Sequence, residues 1–295
     1  MRNITIILAA SGWGAGKFGT ADGAMTVLQK QLLNNLLNDH RIQGEVYFAN
    51  WHFNSCQNSQ DYPIQQRRNH VLQVGRWIHN IAERTIQQGN FLLVIGGDHS
   101  IAMATWSGVK DANCDFGLLW IDAHMDAHTY ETTVSNNPHG MPAAVLLGKG
   151  DHDFVHLARN PPVLKPNALI QTGIRSYEIE EEMLLKHLGV EVGYHKEREA
   201  YNGYENFLKS REHLLKSNPS FGISLDIDGI DPAYCPGTGT PEGRGLELDD
   251  VTEFLKGVIF NSKCIGLEIV EYNPTLDQNN FTFEAMKKII DIIKT

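Results

Sequence analysis

The sequence predicts an α/β fold built on a parallel sheet of about eight strands, and three features of the 295-residue chain support this prediction. Apolar runs of strand length alternate with longer amphipathic stretches, the pattern of a parallel sheet covered by helices on both faces. Hydrophobic residues make up 42% of the chain, which is enough for a large core. No repeat, low-complexity tract or linker divides it, so we expect one domain over residues 1–295. Periodicity alone leaves open whether the sheet is doubly wound or closes into a barrel.

The predicted elements alternate along the whole chain. The strands are Ile4–Ala9, Glu45–Phe48, Phe91–Ile95, Phe116–Ile121, Ala168–Thr172, Val190–Tyr194, Phe221–Asp226 and Cys264–Val270. The helices are Met25–Asn38, Ile64–Gln88, Ile101–Lys110, Met141–Leu147, Ile179–Leu188, Glu205–Leu215, Asp249–Val258 and Phe283–Ile293. In open α/β sheets ligands bind at the carboxyl ends of the strands, so we expect the functional residues directly after the strands.

Charge and cysteine content restrict the partners and the compartment. A net charge of −10 argues against nucleic acid or an anionic membrane as the main partner. Cys56, Cys114, Cys235 and Cys264 are far apart and form no C-x-x-C pair, which is typical of reduced thiols. The apolar run Ile4–Ala10 weakly resembles a signal peptide, but a core strand explains it better. No apolar segment approaches the roughly 20 residues that span a bilayer. We therefore expect a cytoplasmic protein.

A glycine-rich stretch, Gly12–Gly19, follows the first strand and resembles a phosphate-binding loop only superficially. The P-loop needs four residues between its first glycine and Gly-Lys, followed by Ser or Thr, and the dinucleotide pattern G-x-G-x-x-G does not fit either. We predict a flexible loop at the sheet edge.

The segment Asp122-Ala123-His124-Met125-Asp126-Ala127-His128 directly follows the predicted strand Phe116–Ile121. Asp122, His124 and Asp126 are spaced by two, so an extended backbone points all three side chains the same way. A single Asp here is readily explained as a helix N-cap. Three such side chains in register cannot all be caps, and they indicate metal ligands.

Two more strand ends carry similar residues. Gly96-Gly97-Asp98-His99-Ser100 follows Phe91–Ile95, and Asp226-Ile227-Asp228 ends the strand that begins at Phe221. A calcium loop would need Asp or Asn two residues beyond Asp228, where Ile230 stands, so calcium-loop chemistry is rejected.

These strand ends together supply four carboxylates and two imidazoles. The predicted ligands are His99, Asp122, His124, Asp126, Asp226 and Asp228. Six ligands are too many for one catalytic ion but suit two ions that share carboxylates, and four negative charges balance two divalent cations. Oxygen-rich ligands without thiolate favour manganese over a structural zinc. Two ions about 3.5–4 Å apart hold one water between them and lower its pKa, which predicts a hydrolytic centre.

These motifs, in this order and at this spacing, resemble the signatures of the ureohydrolase (arginase/agmatinase) family. The resemblance is close over residues 90–275 and rests on Gly96–Ser100, Asp122–Asp126, Ser224–Pro232, Thr238–Pro241 and Glu268–Pro274. It implies a three-layer α/β/α fold with a central eight-stranded parallel sheet. It also implies two Mn²⁺ per chain, hydrolysis of a guanidino compound to urea and an amine, and a homo-oligomer, a trimer or hexamer.

The resemblance also implies catalytic roles. A guanidinium carbon is a poor electrophile because its charge is delocalised, so the attacking group must be a metal-bridging hydroxide. Asp126 would hydrogen-bond this hydroxide and accept its proton. Glu271, which follows an apolar strand, would pair with the guanidinium. His139 matches the family's proton shuttle, a role that suits an imidazole with a pKa near 6.5.

The substrate prediction is L-arginine, cleaved to urea and ornithine. Ser135 and Asn137 match family positions that contact the substrate α-carboxylate. His128 stands where arginases carry Asn, and Glu178 stands where an Asp binds the α-amino group. The alternatives are an agmatinase or guanidino-acid hydrolase on the same scaffold, a zinc deacetylase of related fold, and a non-catalytic metal-binding relative. Six ligands disfavour the deacetylase, and the presence of Glu271 and His139 disfavours the non-catalytic relative.

Overall fold

The computed structural model describes residues 2–39, 42–51, 58–195 and 203–294. Within these ranges, eight strands form one entirely parallel sheet in the order β2-β1-β3-β8-β7-β4-β5-β6. The strands are β1 Arg2–Ala10, β2 Ile42–Asn50, β3 Phe91–Ile95, β4 Phe116–Ile121, β5 Leu169–Ile174, β6 Glu191–Tyr194, β7 Ser220–Asp226 and β8 Cys264–Val270. The sheet is open, as the family resemblance implied, and not a barrel.

Helices cover both faces of the sheet. They are α1 Ala21–Gln29, α2 Asn34–Leu37, α3 Ile64–Gln87, α4 Ala102–Asp111, α5 Pro142–Leu146, α6 His152–Val155, α7 Ile179–Leu188, α8 Gly203–Ser217, α9 Leu248–Val258 and α10 Phe281–Asp291. Side chains from α1, α2, α8, α9 and α10 pack on one face, and side chains from α3, α4, α5 and α7 pack on the other. Consecutive residues of one strand reach opposite cores, as Ile6 and Ile7 of β1 do. The predicted three-layer architecture is confirmed.

The predicted element boundaries hold best where the apolar pattern is strong. Strands β3, β4 and β8 and helix α7 have the predicted bounds. The predicted helix Met25–Asn38 is wrong, because α1 ends at Gln29 and Gln31 takes a left-handed conformation (φ +55°) before α2 begins. The short helix α6 was not predicted; Asp151 caps it by accepting hydrogen bonds from the backbone of Asp153 and Phe154.

The glycine-rich stretch Gly12–Gly19 is a packed loop, so the prediction of a flexible loop is wrong. Trp13 and Phe18 are buried within it, with their ring centroids 4.7 Å apart. The backbone N–H of Gly14 donates to Asp98 Oδ2 at 2.9 Å, and a Cβ on Gly14 would clash with the Asp98 side chain. Aromatic anchoring and this close approach hold the loop against the residues that follow β3.

Three of the four central strands, β3, β7 and β4, deliver the predicted metal ligands to the carboxyl edge of the sheet. In parallel strands the carboxyl ends lie together, and β3, β8, β7 and β4 are successive neighbours. After β3 the chain turns sharply through Gly96 and Gly97, at φ +111° and +73°. A side chain at Gly96 would clash with Ala24, so glycine is required both for the conformation and for the space.

Two further observations concern membrane-spanning helices and thiol groups. None of the helices in the described ranges combines the length and apolarity that crossing a membrane requires. Cys114, Cys235 and Cys264 are free thiols, and Cys56 lies outside the described residues.

Candidate active site

One group of donor atoms converges around His99. Its Nδ1 lies 3.1 Å from Asp122 Oδ2, 3.0 Å from Asp126 Oδ2 and 3.2 Å from Asp226 Oδ2. This nitrogen is buried and has no hydrogen-bond partner among the described residues. Its other ring nitrogen, Nε2, is 2.9 Å from Ser224 Oγ. A buried imidazole lone pair that faces three carboxylates needs a cation, so these residues fit a metal ion.

A second group shares Asp122 with the first. His124 Nδ1 lies 3.2 Å from Asp228 Oδ2 and 3.5 Å from Asp122 Oδ1. Asp122 therefore faces His99 with one oxygen and His124 with the other, which suits a carboxylate that bridges two ions. We call His99, Asp122, His124, Asp126, Asp226 and Asp228 the floor of the site, and these six side chains are the ones the sequence analysis selected.

Neighbouring side chains hold the floor in place. Trp120 donates from Nε1 to Asp122 Oδ2 at 2.9 Å, and its ring stacks on His99 with centroids 4.1 Å apart. Thr240 donates to Asp228 Oδ2 at 2.9 Å. Hydrogen bonds of this kind orient ligands around a metal.

The floor concentrates negative charge where water is excluded. Burial raises the pKa of Asp226 well above its usual range, and Asp228 and Asp122 raise it further. Burial, with Asp122, also raises the pKa of Asp126 to about 6. Four carboxylates that repel one another in a buried site are stabilised by cations, which is the electrostatic condition for a two-metal centre.

His139 and Glu271 form a second pair beside the floor. His139 Nδ1 lies 3.0 Å from Glu271 Oε1, which also accepts the backbone N–H of His99 at 2.8 Å. Burial opposes the charged imidazole, but Glu271, together with Asp126 and Asp98, raises the pKa of His139 to about 9. Glu271 has a left-handed backbone (φ +65°), as Asp126 does (φ +49°). Such strain in non-glycine residues is concentrated at functional sites.

A cavity of about 320 Å³ opens above the floor. Its volume lies at the lower end of the range for small-molecule sites. Its lining includes His124, Asp126, Asp226, Asp228 and His139 at the inner end. At the outer end it includes His128, Ser135, Glu178 and Glu181, which we call the mouth. Glu271 is buried, and it meets the cavity through its contact with His139.

Three of the predicted substrate contacts are already engaged by protein groups. Asn137 is buried, and its Oδ1 accepts a hydrogen bond from Arg67 of α3 at 2.9 Å. The Arg67 guanidinium also donates to the carbonyl of Asn136. His128 Nε2 lies 3.1 Å from Glu178 Oε2. Ser135 is exposed at the mouth, with its Oγ accepting the backbone N–H of Asn137 at 3.2 Å.

Known proteins resemble this chain in sequence and in architecture. The model of the Arginase family matches residues 2–293. An arginase of Saccharomyces cerevisiae is 30% identical over 93% of this chain and 88% of its own length. The chain belongs to the arginase family. The crystal structure of the Bacillus subtilis arginase superposes with a TM-score of 0.88 at 28% identity, covering 99% of this chain and 98% of its own. An Entamoeba histolytica arginase, solved in complex with L-ornithine, gives a TM-score of 0.87 at 26% identity, covering 100% of this chain and 98% of its own.

As an arginase-family member, the chain is a hydrolase of the ureohydrolase type with clusters of metal-binding residues. One residue at the mouth of the cavity, Glu181, was not among the predicted site residues. Glu181 is 3% exposed and accepts the backbone N–H groups of Ala127 and Glu178 at 2.9 and 3.0 Å. Glu178 and Glu181 form a capping box at the start of α7. The E-x-x-E spacing before an apolar run was the available signal, but it indicates a helix start and not a cavity wall.

Proposed function

We propose that this chain hydrolyses L-arginine to urea and L-ornithine with two Mn²⁺ ions. The observation that carries the proposal is one small cavity with metal-type ligands at its inner end and groups suited to an α-amino acid at its outer end. The similarity to arginases supports the same proposal.

The floor would hold the ions. His99, Asp126 and Asp226 would serve one position and His124 and Asp228 the other, with Asp122 shared between them. Mostly oxygen ligands without thiolate favour manganese. When bound, two divalent ions lower the pKa of a water between them towards neutrality.

Three side chains of this chain would then move protons and orient the substrate. Asp126 lines the cavity and would take the proton of the attacking water. Glu271 uses Oε1 for His99 and His139, so Oε2 is the oxygen we expect to face the guanidinium. His139 has a raised pKa and is protonated at neutral pH, so it can deliver a proton to the leaving amine.

The mouth would bind the amino-acid end. The Ser135 hydroxyl accepts a backbone N–H and, when Thr133 Oγ1 at 3.3 Å donates to it, keeps its own hydrogen to donate to an α-carboxylate. Glu178 and Glu181 supply carboxylate oxygens for an α-ammonium group. A site built around a polar group discriminates against analogues that lack it, by up to about 10⁴–10⁵-fold.

A second candidate is an agmatinase or guanidino-acid hydrolase, and one observation favours it. Asn137 is bound to Arg67, and His128 and Glu178 are bound to each other, so three of the four predicted amino-acid contacts are used internally. A substrate with one charge fewer at this end would need fewer contacts.

A urea-release assay on manganese-loaded protein separates these candidates. We expect kcat/KM for L-arginine to exceed that for agmatine and 4-guanidinobutyrate by orders of magnitude. Agmatine lacks the carboxylate and guanidinobutyrate lacks the ammonium, so the two analogues test the two halves of the mouth separately. Faster hydrolysis of either analogue would overturn L-arginine as the substrate.

We also infer that the enzyme is a cytoplasmic homo-oligomer. The separated cysteines support the compartment, and the family resemblance supports the assembly.

A further inference from the structure

A third group of metal-type donors lies at the mouth, outside the floor. His128 Nε2 is 3.1 Å from Glu178 Oε2 and 3.5 Å from Glu181 Oε2. The ligand atoms of these three residues all lie within 4.8 Å of one another. The proposed function uses these residues only to contact the substrate, and it leaves unexplained why an imidazole nitrogen converges with two carboxylates.

The contacts around Thr132 fix which ring nitrogen of His128 faces the two carboxylates. Thr132 Oγ1 accepts the backbone N–H of Thr129 at 3.0 Å and lies 3.0 Å from His128 Nδ1. This contact occupies Nδ1 and directs Nε2 towards Glu178 and Glu181. One imidazole nitrogen and two carboxylate oxygens within 4.8 Å of one another form a donor set that suits a divalent cation.

The glutamates are held in position before any ligand arrives. Glu181 is buried, and each of its oxygens accepts one backbone N–H group, from Ala127 and Glu178. Burial raises the pKa of Glu181 to about 8 despite these two bonds, so a bound cation would favour its charged form. Glu178 is the N-cap of α7 and is exposed, which gives an ion access from solvent.

We propose that His128, Glu178 and Glu181 form a third divalent-cation site, of the zinc type, at the mouth of the cavity. Zinc–nitrogen and zinc–oxygen bonds are about 2.0–2.1 Å, which places tetrahedral ligands about 3.3 Å apart, close to the two distances observed at Nε2. One imidazole and two carboxylates leave the fourth position for water. An ion here would occupy the place of the substrate α-ammonium and would inhibit by competition. This consequence rests on the proposed function, whereas the binding itself does not.

Total metal per chain tests the site directly. Manganese-loaded protein is dialysed against Zn²⁺, and both metals are measured by elemental analysis. Because zinc can also replace manganese at the floor, the readout is the sum of the two metals. We expect three equivalents in the wild type and two in His128→Asn and in Glu178→Gln, whose apparent affinity for the third ion should fall at least about 10–100-fold. Glu180→Gln removes a charge from the same turn at an exposed position and should keep three equivalents.

A sum that stays at two in the wild type, or a third equivalent that survives both ligand variants, would overturn the site. L-ornithine, which carries the same amino-acid end as arginine, should raise the apparent dissociation constant for the third ion. Metal per chain is measured without turnover. The third cation site and the proposed substrate can therefore be contradicted independently of each other. A protein that binds three ions but releases no urea from arginine would retain the third site and lose the proposed substrate.

Discussion

The floor and the mouth of the cavity are built in different ways. The floor residues lie at the ends of β3, β7 and β4, three of the four central strands of the sheet, and backbone hydrogen bonds to both neighbours fix the position of each strand. The mouth residues lie on the loop after β4 and at the start of α7, and their positions depend on side-chain contacts such as that of His128 with Thr132 and, in the same loop, that of Asn137 with Arg67. Floor geometry therefore follows from the fold, whereas mouth geometry depends on a few individual contacts.

This difference separates catalysis from specificity. A ureohydrolase-type centre needs ligands at fixed distances, and the central strands of a parallel sheet provide them. Selection among guanidino compounds depends on what lies at the far end of the substrate, where loop residues can change without disturbing the floor. Floor substitutions should therefore lower kcat for every substrate, and mouth substitutions should change the ranking of substrates.

The largest effect is expected at the floor, from Asp126→Asn. The amide can neither balance a metal charge nor accept a proton, so turnover should fall to background. Asn tolerates the left-handed backbone at this position, so the fold should be retained. Elemental analysis should give close to two manganese per chain in the wild type. A saturating value of one would contradict the binuclear centre, and normal turnover in Asp126→Asn would contradict the role of this carboxylate.

A smaller loss is expected for Glu271→Gln. The amide oxygen can still accept the His99 backbone N–H, but the charge facing the guanidinium is lost. Leaving a buried cation unpaired costs roughly 3–5 kcal/mol, which corresponds to a few hundred- to a few thousand-fold in kcat/KM. Metal content should be unchanged, and Glu180→Gln serves as the control for a lost surface charge. A loss of less than tenfold would show that Glu271 does not pair with the substrate.

The same difference explains how much of the site could be predicted. Asp122, His124 and Asp126 were identified from their spacing, because a strand end converts spacing directly into direction. The engagement of Asn137 by Arg67 could not be predicted, since 70 positions separate the two residues and only tertiary packing brings them together. Glu181 was missed for a related reason, because its sequence pattern predicts a helix start and only the fold places it beside His128. The break between α1 and α2 falls at Gln31, a residue that carries no turn signal.

The smallest of these effects, and the sharpest test of the mouth, is expected for Ser135→Ala. Its hydroxyl is the proposed donor to the α-carboxylate, and a hydrogen bond to a charged group contributes about 1.5–3 kcal/mol. The variant should therefore lose roughly 10–100-fold in kcat/KM for L-arginine, mainly through KM. Agmatine has no carboxylate, so its slower hydrolysis should be unchanged. Ser135 Oγ also accepts the Asn137 backbone N–H, so the substitution removes a contact within the loop as well. Comparing the two substrates separates these effects, because a displaced loop would slow both of them. An equal loss on both substrates would mean that the loop has moved and that Ser135 positions the chain without contacting the carboxylate.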